Sequence, residues 1–420
     1  MAALAGTGSE LAPEQRRLEG TLASMQQLGS SFEGSVAPAI IPGEGLGLVA
    51  QGPCEVGTVL FRAPPEGLLT SVPPVDKGVT LPDMLTRLPP EDTFGKLVVS
   101  VLFHSIKSQR EDPDKPTSPF APFLGAIPLD YFSNMPSLWA DDLALLEGSA
   151  LLDRLKDDAK ELKSAFEEHI VPAFVAGPEA VFTASQCTFQ RYVHARMVVS
   201  TRGLNQSQRG HFLCPGLDLA NHRCADQANA RVDFTSDPPA CLLVATKLIG
   251  AGEQIFICYD EDADFLDMFQ RYGFLDLTTN VHSVEIRIPF SSIPFRGDEG
   301  WRRSLVESHV PGTITWIPAQ GLTCPLRFAL RAAQLTQSEW DEKGSDAVEH
   351  PVQSEREVLQ ALQQLIVEHM KGYPTCLEDD YDKAGTAGAA NERVLTQVLI
   401  YEKTILAQVI QSIDQELVSL

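Results

Sequence analysis

The sequence predicts an α+β protein: a β-rich domain interrupted by a helical insertion and followed by an all-α C-terminal domain. Short, branched apolar runs broken by Gly and Pro occupy residues 40–70 and 213–260, and such runs are typical of strands. Between them, and again after about Trp301, apolar residues recur at three- and four-residue spacing, which is typical of helices. The predicted parts are an N-terminal helix in 1–35, a β-rich domain in 36–290 with its helical insertion at about 81–204, and a helical domain in 291–420.

The N-terminal segment 10–28 predicts a docking helix. Pro13 stands where the first helical turn tolerates proline. One helical stripe carries Leu11, Leu18, Leu22, Met25 and Leu28. Turn residues at Gly52-Pro53 and Glu55 to Gly57 then separate two or three predicted strands.

The insertion carries several amphipathic patterns, and the last predicts a helix that ends near Ser200 and an exposed loop through Gln208. The segment SVEIRIPF alternates as a final strand, and helical patterns follow it. In the C-terminal region, GSDAVEHPVQ and CLEDDYDKAGTAGA are predicted loops. The last helix should bury one face formed by Val394, Val398, Ile405, Val409 and Ile413.

Composition limits the possible partners. The 420 residues carry a formal net charge of −23, which argues against nucleic acid as a partner. An acidic surface suits a lysine-rich protein segment, although it also serves solubility alone. No apolar run approaches the roughly 20 residues of a membrane span. We therefore expect a soluble protein that binds neither membranes nor nucleic acids. A monomer is also expected, although composition does not determine the oligomeric state.

The N terminus and the cysteines bear on the compartment. The first twenty residues lack the apolar run of a signal peptide and the Arg- and Ser-rich character of a transit peptide. Eight cysteines form no CxxC pair, which fits reduced, mostly buried thiols. We expect a cytoplasmic or nuclear protein, and an organelle such as the chloroplast stays open.

The stretch from Leu213 to Leu275 places polar side chains at the ends of short strands, which predicts a site. The candidates are Asp218, Asn221, His222, Glu253, Tyr259 and Tyr272. Each has an ordinary structural interpretation. The histidine could be a hydrogen-bonded core residue, the tyrosines could end strands, and Asp218 and Asn221 could bond local backbone in turns. Glu253, within GAGEQ, is expected in a hairpin turn without a catalytic role.

The segment GEGLG at 43–47 formally matches the glycine pattern of dinucleotide-binding folds. A phosphate-binding loop must open a helix, whereas these glycines lead into Leu48, Val49 and Ala50. The segment therefore predicts either a hairpin that needs glycine at positive φ or a ligand contact through the backbone.

Two other enzyme classes fit poorly. Ser200, His222 and Asp218 could be drawn as a hydrolytic triad, but no serine lies in a G-x-S-x-G turn. A zinc enzyme would need HExxH or paired cysteines, and the sequence has neither.

Four pieces in register resemble one family: GEGLGLVA, the pair Thr201-Arg202, DLANH at 218–222, and GEQIFICYD followed by RYGFL. Together they are similar to the SET-domain protein methyltransferases, in particular the branch typified by the Rubisco large-subunit lysine methyltransferase. That branch has a SET domain split by a helical insertion, lacks flanking zinc segments and ends in a helical substrate-binding domain. The resemblance covers roughly residues 36–420.

The resemblance implies roles for individual residues. Glu44, Gly45 and Leu46 would contact S-adenosylmethionine through their backbone, and Asn221 and His222 would hold its amino-acid and adenine parts. Tyr259 would stand beside the methyl-transfer channel as the catalytic tyrosine. The remaining implied positions line the cofactor or target pocket: Thr201, Arg202, Asp218, Tyr272 and Phe274, the last on the cofactor side. No metal is implied.

The chemistry fits such a site. Methyl transfer from a sulfonium is a direct displacement that needs alignment, and positioning can contribute roughly 7–11 kcal/mol. The expected activity is S-adenosylmethionine-dependent methylation of a lysine in a non-histone protein. A protein-histidine methyltransferase is the alternative enzyme. Asp260 stands where the family usually has glycine, and this difference keeps open a non-catalytic binding scaffold.

Overall fold

The computed structural model describes most of the chain in segments. The described residues are 13–42, 44–71, 85–108, 118–130, 135–139, 141–176, 180–206, 210–276, 283–288, 290–297, 300–309, 314–318, 325–386 and 389–420. The chain divides into two compact units, Met1–Asn134 with Glu161–Glu261, and Met135–Lys160 with Asp262–Leu420. The sequence-based boundary at residue 290 stays a prediction, because these units instead group residues 262–290 with the C-terminal helices.

Eleven strands lie in the first unit and two in the second, among the described residues. They are β1 (Ser31–Phe32), β2 (Val36–Ile41), β3 (Gly45–Ala50), β4 (Val59–Ala63), β5 (Leu69–Thr70), β6 (Leu204–Gln206), β7 (Gly210–Leu213), β8 (Asn221–His222), β9 (Ala230–Ser236), β10 (Pro239–Ala245), β11 (Gln254–Ile257), β12 (Ser283–Arg287) and β13 (Ile314–Pro318). The described part of the first unit contains three small sheets, ordered β1-β4-β10-β9, β2-β3-β11-β8 and β5-β7-β6. Strands β12 and β13 pair antiparallel in the second unit.

Helices occupy both units. They are α1 (Pro13–Leu28), α2 (Thr93–Ser108), α3 (Ala121–Ala126), α4 (Leu151–Ser164), α5 (Val171–Phe174), α6 (Phe189–Arg202), α7 (Phe265–Tyr272), α8 (Gly300–His309), α9 (Pro325–Gln334), α10 (Gln337–Lys343), α11 (Glu355–Met370), α12 (Leu377–Thr386) and α13 (Ala390–Ser419). A π-helical turn, Ala165–Ile170, joins α4 to α5. The predicted α+β class, with helices between and after the strands, is confirmed. None of the described helices combines the length and the apolar character that crossing a membrane would require.

Helix α1 confirms the predicted N-terminal helix and corrects its buried face. Met25 and Leu28 are buried as expected, but Leu22 is 39% exposed, and Thr21 and Ser24 are buried instead. Both polar side chains form hydrogen bonds: Thr21 donates to the Arg17 carbonyl of the same helix at 2.9 Å, and the Ser24 hydroxyl accepts the N–H of Phe123, on α3, at 3.0 Å. Leu11 lies outside the described residues.

The core of the first unit is formed by its short strands, and β3, β4 and β10 bury consecutive residues and therefore both of their faces. The fully buried side chains include Leu48 on β3, Leu60 and Phe61 on β4, Leu243 on β10 and Ile255 on β11. On β11, the buried Ile255 and Ile257 alternate with less buried residues, and this one-sided pattern fixes the register of the strand and so places the polar residues at its end.

Two predicted loops are wrong. The chain after α6 was expected to be an exposed loop, but Leu204–Gln206 forms β6 and pairs with β7, while residues 207–209 lie outside the described residues. The segment CLEDDYDKAGTAGA was also expected to be a loop, yet Leu377–Thr386 is α12. Glu378, Asp379 and Asp380 in its first turn complement the positive end of the helix dipole, which explains why so polar a segment is helical.

The second unit has its own apolar core. Its longest helix, α13, confirms the predicted face: Val398, Ile405, Val409 and Ile413 are buried, and Val394 packs beside them. The β12 strand is confirmed, whereas its partner β13 lies in a region expected to be helical. The short β13 carries the alternating sequence ITWIP, and a five-residue strand is easily missed between helical patterns.

Candidate active site

The glycine-rich strand β3 lies at the centre of the site-bearing sheet. It pairs antiparallel with β2 on one side and with β11 on the other, so no helix follows its glycines. Gly45 begins the strand at φ +76°, a conformation that other residues rarely adopt. A Cβ atom at Gly45 would meet no heavy atom within 4 Å among the described residues, which leaves its backbone accessible to a ligand.

The Asn221-His222 pair forms β8, the edge strand beside β11. The two strands run parallel, with Asn221 opposite Phe256 and His222 opposite Ile257. Parallel strands end at the same side of a sheet. Tyr259 therefore follows the end of β11 close to the end of β8, although 37 residues separate it from His222.

Gly47 and Asn221 are in close contact across the sheet. A Cβ at Gly47 would lie 2.9 Å from Ile41 Cγ1, 3.0 Å from Asn221 Nδ2 and 3.0 Å from Gln254 Nε2, so only glycine fits. Asn221 Nδ2 is buried and makes no hydrogen bond within the described part of the chain. A buried amide donor without an acceptor is costly, so an oxygen of a bound group suits this position. A carboxylate, such as that of S-adenosylmethionine, has the required acceptor chemistry.

Tyr259 is held at both its backbone and its hydroxyl. The Tyr259 N–H donates to His222 Nδ1 at 3.1 Å, and the Tyr259 hydroxyl donates to the Ala220 carbonyl at 3.0 Å. The two rings lie 5.1 Å apart between centroids. Because Nδ1 accepts a hydrogen bond, a neutral His222 carries its proton on Nε2. His222, which is only 7% exposed, thus supports Tyr259; its expected cofactor contact stays a prediction.

The side chains of Thr201, Arg202 and Asp218, which were expected to line the pocket, form hydrogen bonds or ion pairs with other parts of the protein. Thr201, in the last turn of α6, donates to the Met197 carbonyl at 2.8 Å. Arg202 Nη1 and Asp218 Oδ2 form a buried ion pair at 3.0 Å, and Asp218 Oδ1 accepts the Gly216 N–H at 3.1 Å. These contacts fix the segment that leads to Asn221. Direct substrate contacts by Thr201, Arg202 and Asp218 stay predictions.

The aromatic residues of the RYGFL segment belong to the second unit. Tyr272 ends α7, and its ring lies 5.8 Å from that of Phe274, which is 38% exposed. In the first unit, the structure brings together Glu44, Gly45, Leu46, Asn221, His222 and Tyr259. The pocket roles expected of Tyr272 and Phe274 stay predictions.

Two residues near Tyr259 bear on its chemistry. Burial raises the pKa of the Cys258 thiol to about 11, so this neighbour stays protonated and is a poor nucleophile at neutral pH. No described non-glycine residue has positive φ, so Asp260 takes the place of the usual glycine without backbone strain. Glu253 lies in the expected turn, where its Oε2 accepts the Gly250 N–H at 2.8 Å.

Arg223 and Gln254 also contact the site, although neither was predicted from the sequence. Arg223 Nη2 donates to Glu44 Oε1 at 2.9 Å, and Gln254 Nε2 donates to Glu44 Oε2 at 3.0 Å. The only sequence signal was the position of Arg223, directly after the Asn221-His222 pair. Its partner Glu44 is 179 residues away, so no local pattern links them.

Two family profiles match the chain in order. The profile described as "SET domain" matches residues 45–260, which is just over half of the chain. The chain belongs to the SET-domain family. The profile described as "Rubisco LSMT substrate-binding" matches residues 302–406, as expected for the branch that the sequence resembles.

The curated relatives of this SET-domain protein are distant. N-lysine methyltransferase setd6 of Xenopus laevis is 23% identical over 250 residues, or 55% of this chain and 50% of that protein. The match therefore spans about half of that relative. The chloroplastic [fructose-bisphosphate aldolase]-lysine N-methyltransferase of Arabidopsis thaliana is 25% identical over 413 residues, covering 90% of this chain and 79% of that protein.

Solved structures share the fold over nearly the whole chain. Rubisco LSMT bound to AdoMet has a TM-score of 0.69 at 18% identity, covering 97% of this chain and 93% of that one. Rubisco LSMT bound to sinefungin and monomethyllysine has a TM-score of 0.70 at 17% identity, covering 97% and 92%. At this identity, the likeness shows the fold.

Proposed function

We propose that this SET-domain protein is an S-adenosylmethionine-dependent lysine N-methyltransferase that acts on a non-histone protein. The observation that carries the proposal is the fixed Tyr259 hydroxyl, which donates to the Ala220 carbonyl at 3.0 Å next to the Asn221-His222 pair. Membership of the SET family and the lysine methyltransferase names of its relatives support the same activity.

Tyr259 is suited to orient an amine. A phenol hydroxyl has one proton, and here that proton is directed to the Ala220 carbonyl. Toward another group, the oxygen therefore acts as an acceptor and can receive an N–H from a neutral lysine amine. This contact would direct the nitrogen lone pair away from the hydroxyl, and such orientation lowers the barrier to an in-line displacement.

The cofactor would be held by the first unit. The residues that fit it are the accessible backbone at Glu44 to Leu46 and the buried Asn221 amide, which has no acceptor among the described residues. When bound, S-adenosylmethionine supplies a methyl group on a sulfonium. The protein must also favour the neutral form of lysine, whose reference pKa is about 10.4, and a low-dielectric channel does so by disfavouring the ammonium.

We propose a protein substrate presented by the helical region that the substrate-binding profile matches, residues 302–406. The net charge of −23 favours a lysine-rich target segment. Thr201, Arg202, Asp218 and Tyr272 are proposed on the target side, and Phe274 on the cofactor side. A monomer in the cytoplasm or nucleus is part of the same proposal.

Label transfer tests the activity. The purified protein is incubated with S-adenosylmethionine carrying a labelled methyl group and a soluble protein extract, and labelled proteins are hydrolysed to amino acids. We expect labelled methyllysine. Labelled methylhistidine would instead identify the alternative enzyme. Cofactor binding without any label above a no-enzyme control would favour the non-catalytic scaffold.

A further inference from the structure

Arg223 bridges two parts of the site that are far apart in sequence. Its Nη1 donates to the carbonyl of His222 on β8 at 3.0 Å, while its Nη2 donates to Glu44 Oε1, just before β3, at 2.9 Å. The guanidinium lies 4.2 Å from the centroid of the Phe256 ring on β11. One side chain thus contacts β8, β11 and the residue that precedes β3, and these are neighbouring parts of the site-bearing sheet.

Glu44 is held from two directions. Its second carboxylate oxygen accepts Gln254 Nε2 at 3.0 Å, from the first residue of β11. The Glu44 and Arg223 side chains are 35% and 34% exposed, so the pair lies at the rim of the sheet. We call the Glu44–Arg223 ion pair the rim latch.

We propose that Arg223 is a positioning residue for the cofactor, which it serves by fixing the Glu44–Leu46 backbone through the rim latch. This inference rests on the proposed function, because it assigns Arg223 to the same cofactor site. Gly45 contributes no side chain that could anchor the segment, and glycine has the greatest backbone freedom. Holding the segment in its binding conformation beforehand removes an ordering cost from ligand binding.

Calorimetric titration with S-adenosylhomocysteine tests the rim latch. We expect Arg223→Gln to raise the Kd about fivefold, which corresponds to ~1 kcal/mol. Turnover at saturating S-adenosylmethionine should change less than the KM for that cofactor, because Arg223 bonds to the His222 carbonyl and to Glu44, whereas the Tyr259 hydroxyl is held by the Ala220 carbonyl. Arg231→Ala is the matched control, since Arg231 pairs at 3.4 Å with Asp233 on β9, both side chains are exposed, and the change should leave the Kd unchanged.

A double-mutant cycle separates the latch from a general loss of structure. If the pair carries the effect, Glu44→Gln combined with Arg223→Gln should raise the Kd no more than the larger single change. Losses that multiply, or a Kd for Arg223→Gln within about twofold of wild type, would overturn the inference. If thermal melting shows that Arg223→Gln does not fold, Arg223→Lys takes its place. Lysine keeps the positive charge but cannot donate to the His222 carbonyl and to Glu44 at the same time, so the Kd should still rise.

Salt provides an independent readout. Raising the ionic strength from about 0.05 to about 0.5 M should weaken binding more in the Arg231→Ala protein than in the Arg223→Gln protein, because only the former keeps the partly exposed latch. Equal salt dependence would overturn the role of the ion pair. Absence of S-adenosylhomocysteine binding by the wild-type protein would instead contradict the proposed function itself, so the two failures are distinguishable.

Discussion

At the residue scale, the proposed catalytic group is the Tyr259 hydroxyl, which is held by its bond to the Ala220 carbonyl. Tyr259→Phe removes the acceptor oxygen but keeps the ring beside His222 and the backbone bond to His222 Nδ1. We expect label transfer to fall about a hundredfold, the lower end of the effect of removing one preorganised polar group. The Kd for S-adenosylmethionine should stay within about twofold. Unchanged label transfer would remove the hydroxyl from the mechanism.

Asn221 should behave in the opposite way. Its buried Nδ2 has no acceptor in the described part of the chain, so the free protein loses little when the amide is removed. We expect Asn221→Ala to raise the Kd for S-adenosylmethionine about tenfold, while the melting temperature without ligand stays level or rises. Calorimetry and thermal melting measure both quantities. Normal affinity would show that the cofactor does not contact this amide.

At the scale of the strands, Gly47 permits the close approach of β3 to β2 and β11. In Gly47→Ala, the new methyl group would lie 2.9 Å from Ile41 Cγ1 and 3.0 Å from Asn221 Nδ2. We expect about 1–3 kcal/mol of lost stability, typical of overpacking, together with weaker cofactor binding. Urea unfolding and calorimetry measure these effects.

Gly125→Ala is the control for Gly47→Ala. A Cβ at Gly125, inside α3, would meet no heavy atom within 4 Å among the described residues. The change should therefore be neutral or stabilise the protein by up to about 1 kcal/mol, since alanine favours helix. Equal destabilisation by both substitutions would contradict the packing explanation for Gly47.

Long elements whose hydrophobic residues repeat regularly over many turns were predictable from the sequence. Short elements that depend on strand pairing or on the residues at a helix end were not. The face of α13 follows from Val398, Ile405 and Ile413, which recur at helical spacing over many turns. Strand β6 is only three residues long and exists because β7 pairs with it. Helix α12 is polar and therefore has few hydrophobic residues at helical spacing. The acidic residues of its first turn were the better indication of a helix.

The candidate site was predictable only where its residues are contiguous in sequence. GEGLG and DLANH are local motifs, so Glu44, Gly45, Asn221 and their neighbours could be named from the resemblance. The bonds from Tyr259 to Ala220 and His222 depend on the parallel pairing of β8 with β11. The Glu44–Arg223 pair likewise depends on tertiary structure, and a single sequence carries no signal for such a contact.

At the scale of the whole molecule, the two compact units offer separate spectroscopic signals. All four tryptophans, Trp139, Trp301, Trp316 and Trp340, lie in the second unit. Tryptophan fluorescence during urea unfolding therefore reports on this unit. The unit also buries Glu402, which accepts hydrogen bonds from Ser149 Oγ at 2.8 Å and Tyr373 Oη at 2.9 Å.

Glu402 should make the second unit less stable as the pH rises. Burial is the main cause that raises the pKa of its carboxyl from 4.5 to about 7, and Glu285 adds to it, while Lys403 and the two hydrogen bonds oppose it. The stability that the neutral Glu402 carboxyl gives to the second unit is fully present below pH 4.5 and is lost as the pH rises through about 7. The free energy of unfolding changes by about 3 kcal/mol over this range. Burial lowers the pKa of His369 to about 4, and this makes the unit more stable as the pH rises. The contribution of Glu402 is therefore measured as the difference in unfolding free energy between the wild-type protein and Glu402→Gln. We expect the variant to lose this part of the pH dependence between pH 4.5 and about pH 7 in urea unfolding followed by fluorescence. Parallel stability curves for the two proteins would show that Glu402 does not titrate in this range.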